Sequence, residues 1–267
     1  MTQRIRSPGA PTLVQEAKVL KMEKPLEPHP ALPEYYPDLA QRPAFVRGLF
    51  DRTARYYDHV NRLLSLGSGS WYRRRALERV GLRPGMTVLD VAIGTGLVAR
   101  QALAVTGDLQ AVIGLDVSAG MLAEVRRLLG IPLVQGVMEQ LPLADSCCDL
   151  VSMGYALRHV TDLHATFQEF HRVLRPGGGL LILEIARPAT PFKRAALKFY
   201  LGRLIPLLGR LTTGQRDLQT LMRYYWDTIE HCVPPETIIE AIRAAGFAEA
   251  SCRVEWDLFR AYYGCKA

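Results

Sequence analysis

The chain has 267 residues, 49% of them apolar, and a formal net charge of +7. That is enough for one large α/β domain, or a domain with a small cover. No apolar run reaches the ~20 residues of a membrane-spanning helix, no secretory signal core is evident, and the five cysteines show neither a disulfide framework nor metal-like spacing. A reduced, cytoplasmic setting is expected, without a metal. The positive charge sits in short clusters such as Arg73 to Arg75 and Lys193-Arg194. No basic stripe with interleaved aromatics accompanies them, so nucleic acid is not an expected partner.

Residues 1–42 are rich in proline (PGAP, KPLEPHPALPEYYP) and lack periodicity. They read as an N-terminal arm, disordered or draped over the domain, in which LVQEAKVLKME suits one short helix. Residues 43–267 read as a single domain. Residues 43–66 show helical spacing with a break near Asp51, and residues 70–80 form a second helix stopped by the GLRPG turn. The strand TVLDVA, the turn IGTG and the helix LVARQALAV follow. AVIGLDVS is a strand ending in an acid, and SAGMLAEVRRLLG is a helix with Ser118 as its N-cap. PLVQGV and CCDLVSMGYAL read as strands. TDLHATFQEFHRVLRPGG is a helix capped by Thr161 or Asp162, and GLLILEIA is a buried strand. Residues 190–233 are helical and interrupt the alternation, so they read as an inserted lid. PETIIEAIRAAG is a helix, and AEASCRVEW and LFRAYYGCKA form an antiparallel hairpin at a sheet edge. Alternating strand and helix predicts an α/β fold: a mostly parallel sheet with helices on both faces.

VLDVAIGTG at 88–96 carries the chemistry. Parallel sheets bind ligands at the carboxyl ends of their strands, and Gly94 and Gly96 let backbone approach a ligand closely. GTGLVA fits the dinucleotide fingerprint G-x-G-x-x-A, with Asp116 twenty residues after Gly96. A nicotinamide dehydrogenase leaves Asp90 unexplained, because a pyrophosphate disfavours a nearby anion. A carboxylate four residues before Gly94 suits a ligand with a positive end, such as a sulfonium with an ammonium tail.

FDRTARYYDHVNRLLSLG, VLDVAIGTG, VIGLDVSAGML, EQLPLADSCCDLV, YALRHVTD and HRVLRPGGGLLILEIARP together resemble a class I S-adenosylmethionine-dependent methyltransferase. The likeness is to the UbiE-like ubiquinone/menaquinone biosynthesis C-methyltransferase family, from about Phe45 to the C-terminus. It implies a Rossmann-like seven-stranded sheet and S-adenosylmethionine as cofactor. It further implies that Asp90, Gly94, Thr95 and Gly96 line the methionine end and that Asp116 binds both ribose hydroxyls. Met121 would flank the adenine, Val137 and Met138 would meet its edge, and Gly154 would lie near the sulfonium. Tyr57 and Arg158 would face the acceptor ring. Beside that resemblance, the imidazole of His159, with a reference pKa of about 6.5, suits the base that takes the ring proton.

Family members usually carry glycine at Ile93, an acid or amide at Leu97, Asp or Asn at Val137, and Asn at His159. The expected reaction is methylation of a small aromatic or quinone-like acceptor, led by a ring carbon of a prenylated quinol precursor. O-, N- or C-methylation of a specialised metabolite is the alternative within enzymes. A non-catalytic S-adenosylmethionine-binding or assembly protein is the alternative outside them. The basic, amphipathic lid sequence KRAALKFYLGRLIPLLGRL is compatible with peripheral membrane contact, and a homodimer is left open.

Overall fold

A computed structural model describes residues 24–65, 68–207 and 217–267. The helix expected at LVQEAKVLKME and the lid segment 208–216, with Arg210, lie outside the described residues.

The strands are β1 (Val88–Val91), β2 (Val112–Asp116), β3 (Leu133–Gln135), β4 (Cys148–Gly154), β5 (Leu174–Ile185), β6 (Phe247–Glu255) and β7 (Phe259–Lys266). They form one seven-stranded sheet in the order β3-β2-β1-β4-β5-β7-β6. The first five are parallel; β7 pairs antiparallel with β5, and β6 with β7. Strand order reverses between β1 and β4, so a crevice opens at their carboxyl ends. In that register Asp90 lies beside Gly114 on one side and Ser152 on the other.

The helices are α1 (Arg42–Ser65), α2 (Gly69–Arg79), α3 (Leu97–Thr106), α4 (Ala119–Leu128), α5 (Leu163–Val173), α6 (Pro191–Phe199), α7 (Asp217–Glu230) and α8 (Pro235–Ala244). Helices α2, α3 and α4 bury their apolar stripes against one face of the sheet, around Val88, Val98, Val125 and Leu181. Helices α5 and α8 cover the other face, around Leu89, Met153, Phe167 and Ile242. Ser118 caps α4 by accepting from Met121 N, and Asp162 caps α5 by accepting from His164 N.

A third core caps the strand ends. Leu32 and Tyr36 from the arm, Val46 and Leu49 from α1, and Leu221, Tyr224 and Trp226 from α7 pack there. Residues 24–41 are therefore strapped across the domain. Leu26 N donates to Asp162 Oδ1 at 3.2 Å and Leu26 O accepts from Leu163 N at 2.9 Å at the start of α5, and Pro28 O accepts from Val233 N at 2.8 Å.

Helix α1 is continuous through Asp51, where a break was expected. The Asp51 carboxylate instead serves another helix. It accepts from Ser118 Oγ at 2.6 Å and Gly120 N at 3.0 Å, satisfying the start of α4. Seven residues on, Asp58 accepts from Thr95 Oγ1 in the glycine turn and from Arg100 Nη2 at 2.9 Å.

Candidate active site

At the crevice lies a cavity lined by the ends of β1, β2 and β4, the glycine turn and one side of α1, the position where open α/β sheets bind their ligands. Two of its strand ends leave the sheet through left-handed backbone at non-glycine residues, Ala92 (φ 52°) and Tyr155 (φ 63°). Such positions cost on the order of 1–2 kcal/mol each and cluster at functional sites.

Of the residues expected at the site, Tyr57, Asp90, Gly94, Thr95, Asp116, Met121, Met138, Gly154 and His159 line this cavity. Gly94 adopts φ 57°, and a Cβ there would meet nothing, so its face is open. Asp116 accepts from Gly94 N and Ser118 N, each at 2.9 Å, fixing the glycine turn against β2. Asp90 accepts from Ser152 Oγ at 2.7 Å and Ala99 N at 3.0 Å. Burial pushes Asp90 up to about 7 and Asp116 up to about 6, despite those hydrogen bonds. The cavity thus holds two desolvated carboxylates that a cationic, hydroxyl-bearing ligand would complement. An open glycine, a strand-end acid for the ribose and two methionines for a flat ring fit S-adenosylmethionine.

Three expected residues stand elsewhere. Gly96 does not face the cavity; it takes φ 81° to start α3, and a Cβ there would come within 2.8 Å of Leu129 Cδ1. Its glycine serves turn conformation and helix packing. Val137 is 46% exposed and pairs with Gln140 in a small bridge. Arg158 is fully buried behind the cavity wall. It donates to Glu184 Oε2 at 2.8 Å, Thr228 Oγ1 at 2.6 Å and Tyr225 O at 3.2 Å, and lies 4.4 Å from the Tyr225 ring centroid. Its own carbonyl accepts from buried Arg42 at 2.6 Å. Arg158 joins β5, α7 and the start of α1, and it does not line the crevice cavity.

His159 does reach the cavity, stacked on Tyr224 at 5.5 Å and edge-on to Phe50 at 5.2 Å. Burial, with the charges of Arg158 and Arg42, holds its imidazole well below the usual range. Neither ring nitrogen has a hydrogen-bond partner. A neutral ring with free nitrogens suits hydrogen bonding to a ligand oxygen better than proton storage. His29, behind it, is similarly neutral. Burial and Arg42 lower it to about 4, and its Nε2 accepts from Arg42 Nη2 at 3.0 Å.

Ile93 explains itself by packing. A Cβ on Gly114 would fall 2.3 Å from Ile93 Cδ1, so the side chain lies over that glycine in the core. Sequence reading missed Arg73 and Asn61, which also line the cavity. The signal for Arg73 was present: it shares the buried stripe Gly69, Tyr72, Ala76 and Leu77 of α2, while Arg74 and Arg75 face solvent.

Comparison with known proteins identifies the lineage. Residues 39–255 match the ubiE/COQ5 methyltransferase family. A relative from Hahella chejuensis, named ubiquinone/menaquinone biosynthesis C-methyltransferase UbiE, is 34% identical over 215 residues, 78% of this chain and 85% of that one. A demethylmenaquinone methyltransferase from Desulfitobacterium hafniense is 33% identical over 64% of this chain and 71% of its own length. Among solved structures, a SAM-dependent methyltransferase from Thermotoga maritima superposes with a TM-score of 0.58 at 19% identity, covering 82% of this chain and 99% of that one; this likeness speaks for the fold. Sequence, fold and site chemistry converge: the chain belongs to the ubiE/COQ5 family and is an S-adenosylmethionine-dependent methyltransferase.

Proposed function

We propose that the protein transfers the cofactor's methyl group to a ring carbon of a small aromatic, quinol-like acceptor. One observation carries this reading. The cavity's lining includes Phe50, Tyr57, Tyr155, Ala156 and His159, side chains that are flat or apolar with a few polar tips. Such walls suit a planar ring bearing oxygens. The names of the Hahella and Desulfitobacterium relatives support quinone-type acceptors.

In this reading Asp116 accepts from the ribose hydroxyls and Met121 and Met138 flank the adenine. Gly94, Thr95 and Gly154 bound the methionine end, with Asp90 as the anion facing it; Val137, on the adenine side, is left to solvent. The bound cofactor supplies an electrophilic methyl group on a sulfonium. The chain's own work is alignment and exclusion of water. Tyr57, a phenol held protonated by burial, donates to one ring oxygen. Neutral His159 hydrogen-bonds another.

The test is to offer purified protein S-adenosylmethionine with reduced and oxidised demethylated quinones, and to follow the methylated product by mass spectrometry. Product from the quinol alone supports the reading. Transfer only to unrelated phenols or amines would move the protein to specialised-metabolite methylation, and binding without transfer would make it an assembly protein. His159→Ala should lower kcat/KM by about tenfold, as for one lost hydrogen bond, without altering the pH profile. An inflection at about pH 6.5 that disappears in His159→Ala would instead make the histidine a titrating base.

The lid gives the acceptor a route from lipid. Helix α6 buries none of its residues, and Phe192 is 83% and Phe199 57% exposed beside Lys198. Lys193 and Arg194 pair with Asp257 and Glu230 of the domain. Exposed aromatics among cations suit an anionic bilayer surface, which would make the protein cytoplasmic and peripheral. No helix among the described residues is long and apolar enough to cross a membrane. Flotation with anionic vesicles should carry the protein upward, and Phe192→Asp with Phe199→Asp should abolish it; flotation that survives both changes counts against this face.

A further inference from the structure

Helix α2 carries three consecutive arginines with different fates. Arg74 and Arg75 are exposed and pair with Glu78, at 3.2 Å and 4.0 Å. Arg73 is turned inward and only 6% exposed. Its guanidinium sits over the Tyr155 ring, 5.2 Å from the centroid. Its Nε is buried with no hydrogen-bond partner, and among the described residues no carboxylate lies within ion-pair distance of it. A buried guanidinium without an anion is an expensive arrangement. Arg73 also lines the cavity that receives the cofactor.

The topology says which end of the cavity it serves. Tyr155 follows β4, on the far side of β1 from β2 and Asp116. Arg73 therefore stands on the β4 side of the glycine turn, away from the ribose acid and close enough to Asp90 for its charge to act on it. One end of the cavity thus presents an anion, Asp90, and a cation, Arg73, whose Nε has no partner and which pairs with no carboxylate among the described residues. The amino-acid end of S-adenosylmethionine carries the opposite pair, an ammonium and a carboxylate.

We propose that Arg73 is the anchor for the cofactor's carboxylate. This rests on the methyltransferase reading, and it adds a recognition element to it. The planar guanidinium offers parallel donors that a carboxylate accepts two at a time, a geometry lysine cannot reproduce. It discriminates the whole cofactor from any adenosyl compound lacking that group. A ring-borne oxyanion of the acceptor is the competing source of negative charge at this point.

Calorimetric titration separates the two. Three probes are used: S-adenosylmethionine, its decarboxylated analogue, which keeps the sulfonium and the amine, and methylthioadenosine, which lacks the amino-acid end. The wild-type protein should bind S-adenosylmethionine about 10- to 100-fold more tightly than the decarboxylated analogue, as for one charge-assisted pair. Arg73→Met should bind the two within about threefold of each other, and Arg73→Lys should fall between. Methylthioadenosine should bind wild type and Arg73→Met alike, which shows that the adenosine site is intact and the variant folded. The proposal is overturned if wild type does not discriminate between the first two probes. It is equally overturned if Arg73→Met keeps the preference, or if methylthioadenosine weakens in parallel, which would make Arg73 a packing residue on Tyr155. An unchanged cofactor affinity with a raised acceptor KM would also overturn it, assigning the guanidinium to the acceptor.

Discussion

Replacing Asp116 by alanine is expected to weaken S-adenosylmethionine binding by at least about 100-fold, since two hydrogen bonds to a charged acceptor are lost. The carboxylate sits at the end of β2, 7% exposed, already fixed by the Gly94 and Ser118 amides. Its removal strands two buried donors and frees the glycine turn, so the loss is compounded. Calorimetry with NAD as a comparison ligand reads it; a variant that still binds S-adenosylmethionine at micromolar concentration would remove Asp116 from the site. The same residue sets a pH dependence. Its folded value of about 6 means that the accepting anion is lost as pH falls through that point. Affinity should drop by up to about tenfold per pH unit below it, preceded by a shallower loss as Asp90 protonates near 7. Stability of the unliganded protein runs the other way. Both acids bind protons more tightly folded than unfolded, so their contribution declines as pH rises from about 4 through these values.

Arg158→Ala should cost about 3–5 kcal/mol of folding stability, as for a buried ion pair deprived of one partner. Glu184 would remain 3% exposed with no cation, and Thr228 and the Tyr225 carbonyl would each lose a donor. In a domain of this size that is a melting-temperature drop on the order of 10 °C, measurable by calorimetry without any substrate. The double change Arg158→Met with Glu184→Leu should recover much of the loss, because an apolar pair replaces the stranded charge. A variant that melts like wild type but no longer turns over would return Arg158 to the acceptor. This contrast matters because the arginine precedes a cavity-lining residue in the chain and reads, from sequence, like part of the reacting centre.

What the sequence revealed and what it hid divide along contact distance. The parallel sheet, its antiparallel edge, and the carboxylates Asp90 and Asp116 are legible because each is written within a short window: an apolar run, an acid at its end, a glycine turn, a capped helix. The features that escaped are long-range pairings. Asp51 meets Ser118 across 67 residues, Asp58 meets Thr95 across 37, and Arg158 meets Glu184 across 26. No periodicity encodes these partners, so Asp51 reads as a helix interruption and Arg158 as a cation facing the acceptor. Gly96 is a subtler case. The motif marks it correctly as a required glycine, but the requirement comes from φ 81° and the nearness of Leu129 rather than from a ligand.

Helix α1 separates two tasks around its circumference. Asp51 and Asp58, two turns apart on one stripe, grip the start of α4 and the glycine turn. Val46, Phe50, Tyr57 and Asn61, on a stripe rotated by roughly a quarter turn, face the cavity. A mutation on the second stripe reshapes the cavity lining while the first stripe keeps the helix seated on α4 and the glycine turn. If the proposed acceptor lies against that lining, its choice would rest on a replaceable face of a fixed part, a short mutational path from one methyl acceptor to another.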